Sequence, residues 1–207
     1  MSKRKNPYAG ADAHTRAAKA KGFPARSVFK LEEIDRRVKL LKPGQRVLDL
    51  GAAPGSWSLY AAQRVGASGK VLAVDLSEIT QLFPAQVEVV QGDALELNSE
   101  VLGRHGPYDV VLSDMAPSTS GSKVRDQAQS FELFMRALEV AKAFGKRGSH
   151  FVGKLFMSGD FQQARQAVGA AYERCQVIRP EATRTQSSEV FVVGMGLTSQ
   201  TDLQKPQ

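Results

Sequence analysis

The sequence predicts an α/β domain with a mainly parallel sheet covered by helices on both faces. From Val47 onward, short apolar runs alternate with stretches of helical periodicity, the pattern of such a fold. The stretch RVLDLGAAPG, Arg46–Gly55, sets a strand, a Gly-rich turn and a helix start in succession, as at the opening of a nucleotide-cofactor unit. Charged residues then recur at or just after strand ends: Asp49, Asp75, Asp93, Asp114 and Lys154. Loops at the carboxyl ends of parallel strands gather along one edge, where ligands bind. Five charged residues in equivalent positions therefore point to one site.

The chain has 207 residues, enough for one such domain with an extension. No apolar run reaches the roughly eighteen residues of a membrane span, and no secretory pattern opens the sequence. The one cysteine, Cys175, allows no internal disulfide and fits a reducing compartment, so a cytoplasmic location is expected; the chain is also expected to be a monomer. His14, His105 and His150 are scattered and no Cys cluster exists, so no metal is expected. Charge is uneven. Residues 1–30 hold eight Lys and Arg against Asp12 alone, which equals the whole formal net charge of +7. A cationic arm on a neutral body fits a polyanion such as nucleic acid; a solvated terminus or a transit peptide are the other readings.

The elements follow in order. Residues 1–24 hold few large apolar groups and include Gly10, Gly22 and Pro24, so they are expected to form an irregular basic arm. The domain proper is expected over 25–197, and a loose polar tail over 198–207. Val28, Leu31, Ile34 and Val38 follow helical spacing with Ser27 as a plausible cap; Lys30 lies near the start, off the apolar face. Lys42-Pro43-Gly44 is a turn. Then come strand Val47–Asp49, helix Ser56–Val65, strand Lys70–Asp75, strand Gln86–Val90 and strand Tyr108–Ser113. Helix Gln127–Phe144 turns Phe131, Phe134, Met135, Leu138 and Ala141 to the core. A fifth strand runs from Ser149 with Lys154 near its end, helix Phe161–Ala171 follows, and Tyr172–Ile178 and Glu189–Met195 complete seven strands.

The turn chemistry narrows the ligand. Gly51 and Gly55 let backbone amides approach it closely. Asp75 follows the glycines by roughly twenty residues, where an acid accepts from ribose hydroxyls; that fits NAD as well as S-adenosylmethionine. However, Gly51-Ala52-Ala53-Pro54-Gly55 lacks the G-x-G-x-x-G pattern that a pyrophosphate requires, and Pro54 removes a donor. A ligand without phosphate suits the loop better. Asp93, after Gly92, can accept from an adenine amino group.

The segments SVFKLEEID, DLGAAPGSWS, SDMAPSTSG, GKLF and SSEVFVVGMG, in this order, resemble the FtsJ/RrmJ family of ribosomal RNA 2′-O-ribose methyltransferases, from about Ala25 to about Leu197. The resemblance implies a class I S-adenosylmethionine-dependent methyltransferase fold, Rossmann-like, seven-stranded, with its last strand antiparallel. It implies catalytic roles for Lys154, Asp114, Lys30 and Glu189, and donor contacts from Gly55, Trp57, Asp75, Asp93 and Asp114. It implies as substrate a uridine of 23S rRNA in the large ribosomal subunit, and hence a place in ribosome biogenesis. Two positions depart from the family pattern without removing a catalytic group: Ser56, where many members have Gly, and Ser118, where bacterial members usually have Asn.

That reaction needs these residue types. A methyl group moves from a sulfonium to a ribose 2′-hydroxyl by in-line displacement, so the hydroxyl must lose its proton. Lys154 is the candidate general base. Since an ordinary lysine is almost wholly protonated at neutral pH, its alternative role is to orient the hydroxyl and stabilise the forming alkoxide. Asp114 would position Lys154 and touch the donor, and Lys30 and Glu189 would orient the ribose. Trp57 either packs against the donor or fills the core. Arg125 and Arg184, expected in loops, would grip phosphates with the arm. Base methylation fits less well: Asp114-Met115-Ala116-Pro117 is not the loop of an adenine-amino enzyme, and Cys175 lies inside a strand, remote from the edge. The rivals are the same chemistry on tRNA and a non-catalytic RNA-binding or assembly factor with this fold.

Overall fold

The computed structural model describes residues 9–94, 96–118, 120–184 and 186–198. The expected loose tail therefore lies, after Thr198, outside the described residues. In chain order the elements are α1 (Ala9–Ala20), α2 (Val28–Val38), β1 (Arg46–Leu50), α3 (Ser56–Val65), β2 (Lys70–Asp75), β3 (Val87–Gln91) and α4 (Ser99–Gly103). They continue with β4 (Tyr108–Ser113), α5 (Lys123–Phe144), β5 (Gly145–Phe156), α6 (Phe161–Ala171), β6 (Tyr172–Ile178) and β7 (Glu189–Leu197). The seven strands form one sheet in the order β3-β2-β1-β4-β5-β7-β6. All pairings are parallel except those of β7, which runs antiparallel to both β5 and β6.

Alternation along the central strands buries both faces of the sheet. Leu48, Leu50, Phe151 and Leu155 pack with Phe134, Leu138 and Val168 under α5 and α6. Val47, Val71, Val152 and Phe191 pack on the opposite side with Leu31, Ile34, Trp57 and Ala61 of α2 and α3. Gly153 is small for a packing reason, since a Cβ there would lie 2.6 Å from the Phe151 ring and 2.7 Å from Phe134. No helix among the described residues is long and apolar enough to cross a membrane.

The arm is not irregular throughout. Ala9–Ala20 is helical. Six alanines in that stretch give strong intrinsic propensity, which outweighs the shortage of large apolar groups. Ala18 is fully buried beside Phe23 and Val28, with Leu59 and Tyr60 behind them, so a small residue makes the docking contact. Gly22, at φ +81°, does not break the helix but ends it: Phe23 N–H donates to Ala18 O and Gly22 N–H to Lys19 O.

Smaller differences have local causes. Ser27 occupies the position before α2 but is itself αR, and its side chain makes no capping bond. α5 begins four residues before Gln127, because Asp126 accepts from Ser120 N–H (2.8 Å) and Oγ–H (2.7 Å) and secures a polar first turn that carries no apolar periodicity. α4, five residues long and capped by Asn98 accepting from Val101 N–H, is too short to show a period. β5 begins at Gly145 through an irregularity that pairs Tyr108 with Gly145 but Val110 with His150.

Candidate active site

Strand order reverses between β1 and β4, and loops leaving their carboxyl ends diverge there to open a crevice. A groove of about 580 Å³ occupies it, lined among others by Gly51, Asp75, Asp93, Asp114, Ser118 and Lys154. Gly51 is at φ +76°, and a Cβ on it would lie 2.9 Å from the Met115 backbone. The turn after β1 and the loop after β4 thus touch directly, and only glycine permits it. The turn is anchored to β2 by Gly51 and Ala52 amides donating to Val74 O. Asp75 holds it from the other side, accepting from Ala53 N–H (2.9 Å) and Ser77 N–H (2.7 Å).

Gly55, at φ +106°, starts α3 but does not line the groove; a Cβ there would meet Phe83 at 2.8 Å and Gln81 at 3.0 Å. Its role is to let the turn enter the helix under those side chains. The Trp57 side chain does not line the groove either. It is buried against Phe191, ring centroids 5.6 Å apart, and its indole N–H donates to Ser27 O at 2.9 Å. The ring is core, and the bond pins the start of α2 three residues before Lys30. Ser56 adds to this, its hydroxyl accepting from Ala25 N–H at 2.8 Å and donating to Ala25 O. Asp35 completes the tie between α2 and α3, accepting from Leu41 N–H, Tyr60 O–H and Arg64.

Two ion pairs stand at the rim. Lys154, 8 % exposed, lies 2.9 Å from an Asp114 carboxylate oxygen, while its hydrogen bond goes to the Asp114 main-chain carbonyl. The second joins Lys30 of α2 to Glu189 of β7 at 2.5 Å, and Thr183 Oγ–H also donates to Glu189. Burial alone would raise the Glu189 pKa, but Lys30, Lys154 and the Thr183 hydroxyl hold it below the usual carboxylate range. The register pairs Lys154 with Phe191 and Phe156 with Glu189, so adjacent antiparallel strands bring the two pairs together.

Next to the groove is a second cavity of about 430 Å³, whose lining includes Arg26, Lys30, Arg184, Gln186 and Glu189; Ser27 lines both. Three cations there face one carboxylate. Arg26 donates to Ala182 O at 2.7 Å, and burial and the like charge of Arg184 lower its pKa against the pull of Glu189. Glu33 supports this wall by accepting from Glu181 N–H. From the sequence Ser27 is expected only as a helix cap, Gln186 carries no signal, and the only signal for Arg26 is its place in the basic stretch. Arg125 sits not in a loop but in the first turn of α5, lining a further groove with Ser118, Leu133 and Arg136.

Asp49 is the strand-end acid that fails to reach the edge. It lies within β1, fully buried, where Ser58 Oγ–H donates to one oxygen at 2.5 Å and the other has no partner. Burial pushes its pKa from 3.8 up to about 7, with Asp114 and Asp75 adding to the rise and Ser58 opposing it. A group with a raised folded pKa keeps its proton on folding, so its contribution is lost as pH climbs through about 7. Between pH 5 and pH 8, denaturant unfolding should show the stability gap moving in favour of Asp49→Asn by about 3 kcal/mol relative to wild type. A parallel pH course for both proteins would refute the buried proton.

The donor set fits S-adenosylmethionine. Asp75, Asp93 and Asp114 outnumber Lys154 along the groove, which suits a ligand with a sulfonium charge. Among the described residues no group of three His, Cys, Asp or Glu could hold a metal ion.

Known proteins share the sequence and fold of this chain. The family model described as FtsJ-like methyltransferase matches residues 23–197. A Sorangium cellulosum protein named ribosomal RNA large subunit methyltransferase E is 67% identical over 193 residues, covering 93% of this chain and 91% of that one. A Syntrophobacter fumaroxidans protein of the same name is 50% identical, covering 92% and 98%. A solved Plasmodium falciparum structure, described as a ribosomal RNA methyltransferase, superposes with a TM-score of 0.75 over 85% of this chain and 99% of its own. At 20% identity that likeness is one of fold.

Proposed function

The chain belongs to the FtsJ-like methyltransferase family, and from that premise we propose that it transfers a methyl group from S-adenosylmethionine to a ribose 2′-hydroxyl, that of a uridine in the 23S rRNA of the large ribosomal subunit. The observation that carries the reading is the meeting of two ion pairs, Lys154–Asp114 and Lys30–Glu189, on the border between an acidic groove and a cationic cavity.

Asp75 would take the donor's ribose, Asp93 its adenine amino group, and Asp114 the region of the sulfonium. Gly55 and Trp57 act on the donor through backbone they shape, not through side chains. When bound, the donor supplies an electrophilic methyl group. Lys154, fixed by the Asp114 carbonyl and carboxylate, removes the proton from the ribose 2′-oxygen or, as a cation, stabilises that oxygen as its charge develops. Lys30 and Glu189 hold the ribose by its hydroxyls, while Arg26 and Arg184 meet its phosphates. The basic arm over 1–24 adds sequence-independent phosphate contacts to the domain over 25–197, and the protein works as a cytoplasmic monomer without a metal.

The test offers labelled donor with separated large subunits, small subunits and tRNA, then maps the product. Label should enter large-subunit RNA at one ribose and make the next phosphodiester resistant to alkali. Methylation of tRNA alone would replace the substrate. No transfer to any RNA would favour the binding-factor reading.

A further inference from the structure

The end of the sheet opposite the active site has a charge pattern of its own. Parallel strands begin there, and four of them, β1, β2, β5 and β6, carry Lys or Arg within their first three residues. The register sets Arg46 of β1 beside Lys70 of β2. Lys146 and Arg147 are the second and third residues of β5, and Arg174 is the third of β6. Lys42 joins them through the turn into β1, where its amide donates to Gln45 Oε1 while Lys70 N–H donates to Gln45 O. All six are exposed.

The acids at this end are few and mostly engaged. Asp109 accepts from Arg46 N–H and pairs with Lys146. Glu88 is matched by Arg104 and His105. Glu173 stands alone beside Gly196. Lys42, Lys70 and Arg174 have no carboxylate partner among the described residues. The half-buried His150 ring reports the same surplus. Burial lowers its pKa, and Lys42 and Arg174 lower it further against Asp109. Its partners across the sheet are Met195 and then Arg174, so His150 and Arg174 lie on one row, two strands apart.

From Lys70 on β2 to Arg174 on β6 this end of the sheet crosses five strand spacings, about 24 Å at ~4.8 Å each; β2, β1, β5 and β6 supply the cations, β4 supplies Asp109 and β7 none. Cations spread over that length suit several phosphates better than a single small anion. The carboxyl edge has the opposite character, with Asp75, Asp93 and Asp114 in its groove. The two ends are separated by the length of the strands, roughly 17–20 Å.

We infer that the amino end of the sheet, centred on Lys42, Lys70 and Arg174, is a second RNA-binding surface that grips the phosphate backbone of an rRNA segment distant from the methylated ribose. The inference rests on the proposed ribosomal substrate, since only a large folded RNA offers phosphates to both ends of so small a protein. The contact is with backbone alone, and so adds affinity without base preference.

The test uses the full-length protein with Lys42→Glu, Lys70→Glu and Arg174→Glu combined. Binding to large subunits and to protein-free 23S rRNA is measured across salt, with methyl transfer and donor binding in parallel. The expected result is a KM for both RNAs raised at least tenfold at 0.1 M salt, with kcat and donor affinity within twofold of wild type. The slope of log affinity against log salt should become shallower by about two, at ~0.7 per contact. Unchanged affinity and slope would overturn the surface. Weakened binding to subunits with normal binding to protein-free rRNA would also overturn it, and would identify an acidic protein as the partner. If wild type binds but never methylates, loss of binding in the variant still supports the surface, and only the enzymatic reading falls.

Discussion

Lys154→Met is expected to lower the single-turnover rate of methyl transfer by ~10²–10⁴, the range of a lost general base, with donor affinity within about threefold. Methionine keeps the length and packing of this 8 % exposed side chain but can neither accept a proton nor carry charge. Because the Lys154 ammonium binds both the carbonyl and the carboxylate of Asp114, its loss leaves that acid facing the groove without its cation. Lys154→Arg separates the two roles. Arginine stays protonated, so it would fail like methionine if proton removal is the function. It would recover part of the rate if the cation stabilises the alkoxide. A Lys154→Met enzyme turning over at the wild-type rate would remove this residue from the chemistry altogether.

Lys30→Met is expected to cost about 3 kcal/mol of stability, towards the low end for breaking a buried ion pair because 14 % and 11 % of the two side chains remain exposed. The pH course follows from Glu189, whose folded pKa is depressed. In wild type that contribution is complete above the unfolded carboxylate pKa and is lost as pH falls through the lower folded value. In the variant, burial acts on Glu189 without the ammonium, so its pKa rises. The loss should therefore be greatest near pH 7 and shrink towards pH 4, as read by denaturant unfolding at each pH. Adding Glu189→Leu should restore most of the stability and none of the activity, since the pair can be replaced by apolar packing but the ribose contacts cannot. A Lys30→Met protein as stable as wild type at pH 7 would mean that the pair is not held in solution.

Much of the site was legible because function sits where strands end. Asp75, Asp93 and Asp114 follow apolar runs and Lys154 lies two residues before the end of β5, and the alternation of strands and helices brings those ends together. The same rule failed for Asp49. One residue before the end of β1, its side chain falls on the side that α3 covers, where Ser58 meets it. Trp57 could not be resolved from spacing either, since a ring two residues past a glycine can face ligand or core. The docked helix α1 was missed because its buried contact is made by Ala18, a residue that gives no hydrophobic period.

The sequence by itself determined the layered α/β fold, the positions of most strands and helices, and the residue types gathered at the carboxyl edge. These depend on local periodicity, turn residues and strand ends, all of which are written along the chain. Tertiary structure alone decided which of those residues pair. Lys30 meets Glu189 across 159 positions because Trp57, Ser56 and Asp35 fix α2 against α3 while β7 inserts antiparallel beside β5. It also decided that the cations opening β1, β2, β5 and β6 come to one end of the sheet. Ion pairs and charged surfaces depend on distance in space, and register and helix docking create that distance only when the sheet is assembled.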